Sequence, residues 1–182
     1  MPPTLDRSGG ERYVRLGLAD PAGCAVLPAP FVAELAKVAP GTSCDKVLRA
    51  TYVDSTETVF TTVGIVVVGG TAAQRDKVWR GWTPDSDSQN SDLMPDVYPV
   101  PGSVAAQAAN AQRIAWNSET SSDGSFLVYS VAGFLDGRAG SSPEDLRSGI
   151  TKNLTADSPP VQASVDLPTQ IVDLLARAGK KA

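Results

Sequence analysis

The chain has 182 residues, a formal net charge of −4 and no histidine. This length is enough to bury the core of one domain. The acidic balance gives no broad attraction to nucleic acid, whose phosphates select clustered lysine and arginine. Without imidazole, Ser/His and Cys/His catalytic couples and His-ligated zinc are excluded, and we expect no cofactor and no metal.

The N-terminal residues 1–12 combine prolines, charged residues and a Gly-Gly pair, so we expect a disordered lead before a single α+β domain over residues 13–182. They lack the apolar stretch of a signal peptide. No run reaches the roughly 18 apolar residues of a membrane span. Either the protein is cytoplasmic, or an anchor precedes residue 1 and the domain is extracytoplasmic.

Cys24 and Cys44 are the only cysteines, and they bracket a helical pattern at residues 28–38. Proline at its start and Pro40-Gly41 at its end delimit this helix. The short flanking segments can fold back along it, so we predict a disulfide. Disulfides persist in oxidising compartments, which favours the extracytoplasmic alternative.

Two β-branched runs follow, at 47–53 and 58–68, separated by four polar residues that suit a hairpin turn. The second run becomes wholly apolar, which predicts a central strand covered on both faces. Thr71 and Gln74 have the spacing of a capping box, and a helix is expected from there to about Trp82.

The segment 83–102 is rich in Asp, Ser and Pro and is predicted to be a long loop. An alanine-rich helix is expected at 103–112, and a second hairpin from 113–119 and 125–135. A strand is also expected at 13–18.

Two further helices are predicted, one over 142–154 and one that opens at Pro168 and ends at Gly179. The fold class is therefore α+β, with an antiparallel sheet built from two β-hairpins and helices packed on it. The order helix, strand, strand, helix occurs twice, over 28–82 and 103–154, which suggests two α-β-β-α units.

Several motif matches do not carry chemistry. Residues 64–71 imitate a phosphate loop but have the β-branched composition of a strand, and Ser43 to Lys46 match S-x-x-K without its companion motifs. An acidic group in the loop lacks the glycine and glutamate of a calcium loop, so we expect a solvated loop. Its members are Asp85, Asp87, Asn90, Asp92 and Asp96.

The remaining candidates are aromatic and acidic side chains. Trp79 and Trp82 lie three apart on a predicted helix and would form either a stacking platform for a small ligand or glycan, or part of the core. Glu57, Glu119 and Asp123 fall near hairpin ends, where a carboxylate pair could hydrolyse a glycoside.

The interpretation we favour is a non-enzymatic, extracytoplasmic protein-interaction domain of a bacterial cell-envelope protein. Its partner would be another envelope protein or a secretion assembly. The bacterial origin rests on the Ala/Gly/Val/Arg/Asp-rich composition. Alternatives are a small-ligand or glycan-binding domain and a carboxylate-dependent hydrolase.

We expect the working surface to combine the loop with an exposed edge of the sheet, because long loops with apolar residues often dock partners. The alternative is that these residues hold the loop to its own domain. The partner-binding candidates are Leu93, Met94, Val97, Tyr98, Trp79 and Trp82.

Overall fold

The computed structural model describes residues 1–6, 10–82, 91–137 and 158–179. These residues form one antiparallel sheet in the order β1-β2-β3-β4-β6-β5, which confirms the α+β class. The strands are β1 (Thr4–Asp6), β2 (Arg12–Leu18), β3 (Ser43–Asp54), β4 (Val59–Gly69), β5 (Arg113–Thr120) and β6 (Phe126–Phe134). The helices are α1 (Ala29–Val38), α2 (Ala72–Gly81) and α3 (Pro159–Gly179).

Both expected hairpins are present, and β4 is the central strand that its apolar run predicted. Its side chains alternate between two cores, one on each face of the sheet. We call the face covered by α1 and α2 the front, and the face covered by α3 the back. The front core takes Phe60, Val66 and Val68, and the back core takes Val59, Val63 and Ile65.

The front layer is organised around Phe31 of α1, which is fully buried. Its ring centroid lies 5.0 Å from that of Trp82, 6.5 Å from that of Trp116 and 6.1 Å from that of Tyr129. One aromatic group therefore joins α1, the end of α2 and the two last strands. α2 begins with the expected capping box between Thr71 and Gln74.

The disulfide between Cys24 and Cys44 is formed, with the two Cα atoms 5.9 Å apart. Cys24 opens a short 3-10 turn before α1, and Cys44 lies at the start of β3. Residue 22 also bridges to Val47 of β3. The bond therefore ties the entry of the front helix to the sheet.

The back layer corrects one prediction, because α3 begins at Pro159 and not at Pro168. Pro168 lies inside the helix and lacks the N–H that would bond to the carbonyl of Ser164. The hydroxyl of Ser130, on β6, donates to that carbonyl instead, at 2.5 Å. A bond from the sheet thus replaces the bond that proline removes from the helix.

Residues 103–112 are a second correction, because they form turns and a 3-10 turn at Asn110–Gln112 and not the expected helix. Ala105 and Ala108 are buried in the front core. Packing against the sheet outweighs the high helix propensity of alanine, because tertiary contacts override propensity. The first helix of the supposed second α-β-β-α unit is therefore not formed.

The N-terminal lead is a third correction, since Thr4–Asp6 form β1 and pair with Arg12–Val14 of β2. Leu5 is buried in the back core. The hydroxyl of Tyr52 donates to the carbonyl of Pro2 at 2.9 Å. The expected helix over 142–154 lies outside the described residues.

Candidate functional site

The loop residues expected to contact a partner are mostly core residues. Leu93, Met94 and Val97 are buried in the front core, and Tyr98 is half-buried. These positions belong to residues 91–109, which cross the front of the sheet and which we call the strap. The strap therefore agrees with the alternative interpretation, in which these side chains hold the loop to its own domain.

The strap is bonded to the sheet through its backbone. The N–H of Tyr98 donates to Oγ1 of Thr62 at 3.0 Å, and Oγ1 of Thr51 donates to the carbonyl of Tyr98 at 2.5 Å. The guanidinium of Arg49 lies over the Tyr98 ring, 5.5 Å from its centroid. The backbone N–H and C=O of Tyr98 are thus both satisfied by buried threonines, Thr51 on β3 and Thr62 on β4.

A second anchor lies at the end of the strap, beside β5. Arg113 donates from one nitrogen to the carbonyls of Met94 and Pro95, at 2.9 and 3.1 Å. Asn110 accepts from the N–H of Val97 at 2.9 Å. The strap is consequently a structural element and leaves few of its apolar side chains for a partner.

The two tryptophans of α2 do not form one platform. Trp82 is 3% exposed and donates from Nε1 to Oγ of Ser118 at 2.8 Å. Trp79 is 42% exposed, and the Arg80 guanidinium lies 5.1 Å from its ring centroid. Trp82 is a core residue, and Trp79 alone is open to solvent.

The position of Trp79 on α2 follows from the helix contacts. Gly81 packs against Val38 of α1, so α1 lies on that side of α2. The carbonyl of Arg75 packs against Gly124 in the turn between β5 and β6. Trp79 is four residues after Arg75 and therefore shares its side of the helix. The exposed indole thus lies on the side of the β5–β6 hairpin.

β5 is an edge strand of the sheet, but its middle is covered, since Trp116 is 3% exposed and Ser118 is fully buried. The N–H of Ser121 donates to the carbonyl of Phe126 at 2.9 Å, which fixes which residues of β5 bond to β6. In an antiparallel pair this orientation alternates, so Trp116, Ser118 and Thr120 direct N–H and C=O away from β6. No other strand of the described residues pairs with this edge.

The front side of β5 also has an unsatisfied side-chain donor. Trp116 is buried, and its Nε1 has no hydrogen-bond partner. A buried indole N–H normally finds an acceptor, and leaving one unpaired is costly. This donor lies on the edge strand β5.

The back side of the same edge is acidic. Glu119 of β5 accepts a hydrogen bond from Oγ1 of Thr169 on α3. Asp173 follows Thr169 by one helical turn and lies exposed on the same side of α3. Among the described residues, no basic side chain forms an ion pair with Glu119 or Asp173.

Glu57 is not brought together with the other carboxylates named for hydrolysis. Glu57 lies in the β3–β4 turn, beside the bond between Thr58 and Leu135, whereas Asp123 lies in the β5–β6 turn, beside the bond between Val68 and Ser125. These are opposite ends of β4, which spans roughly 35 Å at 3.3 Å per residue. Hydrogen bonds led by the Ser121 hydroxyl lower the pKa of Asp123, the opposite of what a general acid needs.

The remaining candidates are a metal site, a membrane span and the acidic group of the loop. The described residues contain no group of three metal-ligating side chains, and none of their helices has the length and apolar character to cross a membrane. Of the acidic loop group, Asp85, Asp87 and Asn90 lie outside the described residues. Asp96 accepts from Asn110 at 2.7 Å.

A shallow apolar depression lies beside the disulfide, away from the tryptophans. It is lined by small and aliphatic side chains: Cys24, Ala25, Leu27, Ala29, Val32, Ala33 and Ala36. Without polar groups to orient a ligand, it does not resemble a ligand site.

Comparison with protein families, curated proteins and solved structures finds no match for this chain. The candidate site therefore rests on geometry: the side of the sheet that ends at β5, with Trp79 on its front and Glu119 with Asp173 on its back. We call this the edge surface. Sequence reasoning expected an exposed edge but could not say which one, because strand order is not encoded in the local pattern.

Proposed function

We propose that this chain is a non-enzymatic domain of a bacterial cell-envelope protein that works outside the cytoplasm. It binds another protein, either an envelope component or part of a secretion assembly, through the edge surface. The observation that carries this proposal is the exposed indole of Trp79, which carries the Arg80 guanidinium on its ring and lies on the side of the β5–β6 hairpin.

Trp79 has the properties of an interface anchor. Tryptophan is enriched among the residues that contribute most to binding energy. The Arg80 guanidinium stacks on its ring, and Asp76 holds Arg80 through a 2.8 Å ion pair. A side chain positioned in this way loses less rotational freedom when a partner covers it.

The compartment is supported by the disulfide. Cys24 and Cys44 are the only cysteines, and they are bonded to each other. Such bonds are rare where glutathione keeps thiols reduced. To check the compartment, the protein would be alkylated as isolated from its own cells, before and after reduction. We expect two thiols to react only after reduction, and two reactive thiols beforehand would contradict an oxidising location.

Binding is tested by placing a photo-crosslinking amino acid at position 79 in the full chain within its own cell envelope. Position 174 is the matched control, because Leu174 is 41% exposed on α3, close to the 42% of Trp79. We expect a discrete protein adduct from position 79 and none from position 174. Adducts from both positions, or none from either, would contradict the proposal.

The partner identified in this way then allows a quantitative test. Trp79→Ala should weaken its binding by about 30-fold, the loss typical of an aromatic anchor, with an unchanged melting temperature. Leu174→Ala should stay within about twofold. A glycan that binds with the same dependence on Trp79, in place of a protein, would favour the ligand-binding alternative.

A further inference from the structure

Two polar side chains of the front face lie on either side of Gly64. In the ladder, Arg49 of β3 is opposite Gly64 of β4, and Gly64 is in turn opposite Tyr129 of β6. Residues directly opposite each other on neighbouring strands have their side chains on the same face of the sheet. Arg49 and Tyr129 are therefore separated by one residue that has no side chain.

The Tyr129 ring extends over Gly64 towards β3. Its phenol oxygen lies 2.5 Å from the position that a Cβ on Gly64 would take. The Cβ of a directly opposite residue, here Arg49, lies about 4.5–5.5 Å from that position. The phenol oxygen is thus displaced from its own strand and comes within reach of the Arg49 side chain.

Both side chains have a buried polar atom without a partner. Among the described residues, neither the Tyr129 hydroxyl nor Nε of Arg49 makes a hydrogen bond. A hydroxyl and a guanidinium N–H are both donors, so each of them lacks an acceptor. Leaving one buried donor unpaired is costly, and here two unpaired donors lie on opposite sides of one glycine.

The charge of Arg49 acts on the Tyr129 phenol, which supports this proximity. Burial raises the pKa of the phenol, whereas the Arg49 guanidinium acts to lower it and the Asp96 carboxylate acts to raise it. A charge shifts the pKa of a neighbour only when the two groups lie close together. Arg49 and Asp96 are therefore both near the phenol oxygen.

A buried water needs at least two polar partners, and this requirement distinguishes Tyr129 from Thr61. The hydroxyl of Thr61 is also buried without a partner, but Thr61 lies between Tyr52 and Ala132 in the ladder. The Tyr52 hydroxyl already donates to Pro2, and alanine has no polar side chain. Arg49 and Tyr129, in contrast, supply two unsatisfied groups.

We propose that Arg49 and Tyr129 bind one buried water molecule on the front face, above Gly64. The water accepts a hydrogen bond from Nε of Arg49 and another from the Tyr129 hydroxyl. It joins β3 to β6 across the intervening β4. It also fixes the guanidinium that lies over the Tyr98 ring of the strap. This site is independent of the function proposed above.

A halide ion is a less suitable occupant, although it too accepts hydrogen bonds from two donors. The Asp96 carboxylate is near enough to act on the Tyr129 phenol and would repel an anion. A water molecule has two hydrogens of its own and can turn one towards a negative charge. The charges around the site therefore favour water.

The occupant is identified in crystals of the full chain grown with sodium bromide. We expect density for a water molecule about 2.7–3.2 Å from Nε of Arg49 and within hydrogen-bond distance of the Tyr129 oxygen, with no anomalous signal from bromide. Bromide at this position would overturn the assignment to water. No density there, or a direct hydrogen bond between the two side chains, would also overturn the inference.

The sign of a stability change gives a second test. Tyr129→Phe removes a hydroxyl that the water satisfies, so the melting temperature should fall by about 2–4 °C. Thr61→Val is the matched control, because it removes a buried hydroxyl that has no such bridge, and it should raise the melting temperature. A rise in both variants would show that the Tyr129 hydroxyl is unpaired, and would overturn the inference.

A double variant tests whether the two side chains share the water. Arg49→Lys keeps the positive charge but moves the donor, so it should also lower the melting temperature. The losses from Arg49→Lys and Tyr129→Phe should not add, because either change breaks the same bridge. Losses that add would overturn the inference. Should a variant fail to fold, the crystal structure of the unaltered chain still decides the matter.

Discussion

At the scale of single residues, the centre of the front core depends on a missing side chain. Gly64 of β4 faces Tyr129 of β6 across the ladder, and the Tyr129 ring occupies the space that a Cβ on Gly64 would take. Tyr129 is fully buried and its hydroxyl has no hydrogen-bond partner. Burial raises the pKa of this phenol, so it stays neutral at physiological pH.

Gly64→Ala should therefore lower the free energy of unfolding by about 1–3 kcal/mol, because the ring has no space to move in a close-packed core. Gly23→Ala is the control, since Gly23 has a φ of −76° and a methyl group added there would meet no atom within 4 Å. Chemical denaturation measures both. Equal stability of the two variants would show that the Tyr129 side chain can shift.

At the scale of elements, polar bonds decide where the strap lies. Thr62 accepts from the N–H of Tyr98 and shares a 2.9 Å hydrogen bond with Thr51, whereas Thr61, one residue earlier, is buried with no partner for its hydroxyl. Neighbouring threonines on the same strand thus have opposite energetic roles. Thr62 satisfies a backbone N–H of the strap, whereas Thr61 buries an unsatisfied hydroxyl, which costs free energy of folding.

Thr62→Val keeps the shape of the side chain and removes these bonds, so it should lower the free energy of unfolding by about 1–3 kcal/mol. Thr61→Val removes only an unsatisfied hydroxyl and should raise it by about 1 kcal/mol. Thermal and urea unfolding of the pair would show this difference in sign. Two losses of similar size would contradict the role assigned to Thr62.

The elements that were predicted correctly are those whose signal is local. Apolar runs and turn residues locate β3 to β6, and capping residues locate α2. The errors arise where a distant contact overrides the local signal. Pro168 is tolerated within α3 because Ser130 bonds to the carbonyl it frees, and Ala105 is held in a turn by the front core.

In the candidate site, too, the features that sequence could not predict are those that depend on distant contacts. Helical spacing alone could not predict that Trp79 is exposed and Trp82 buried, because the burial of each side chain depends on where α1 lies. The burial of Leu93, Met94 and Val97 depends on the crossing of the strap over β3 and β4. An exposed edge of the sheet was expected, but the identity of the two edge strands, β1 and β5, depends on the sheet order.

At the scale of the whole molecule, two cores on opposite faces of one sheet are closed by different parts of the chain. The front core is closed by α1, α2 and the strap, and the disulfide holds α1 to β3. The back core joins Leu5 and Tyr13, near the start of the chain, to Leu167 and Ile171 of α3. The disulfide therefore stabilises the front layer directly.

Replacing Cys24 and Cys44 with alanine should lower the free energy of unfolding by about 3 kcal/mol, because the unfolded chain regains the freedom of a loop that the bond closes over a separation of 20 residues. Reduction of the unaltered protein should give a similar loss. Urea unfolding with and without reductant measures it. An unchanged midpoint in both cases would contradict a stabilising role for the bond.

Acid should destabilise the fold through its hairpin turns. Burial alone would raise the pKa of Asp54, but hydrogen bonds from Thr56, Val59 and Thr58 outweigh it and lower this pKa below 3.8, its ordinary value. A carboxylate with a lowered pKa contributes stability above that value and loses it as the pH falls through the folded pKa. Stability should therefore decrease below about pH 4.

Asp54→Asn retains one of the two acceptor oxygens and removes the titration, so its free energy of unfolding should depend less on pH between about 4 and 2 than that of the unaltered chain. Denaturant unfolding at several acidic pH values gives both slopes. Identical slopes would show that Asp54 does not contribute to the acid sensitivity.

The position of α3 in the chain has a consequence for synthesis. All six strands precede it, so a nascent chain can assemble the sheet while the segment that supplies Ala163, Leu167 and Ile171 is still inside the ribosome. During that interval the apolar back face lacks the cover of α3, and such transient surfaces are where chaperones bind and where aggregation starts. Slow translation after β6 should therefore lengthen the vulnerable period, and a chaperone that shields a flat apolar sheet would shorten it.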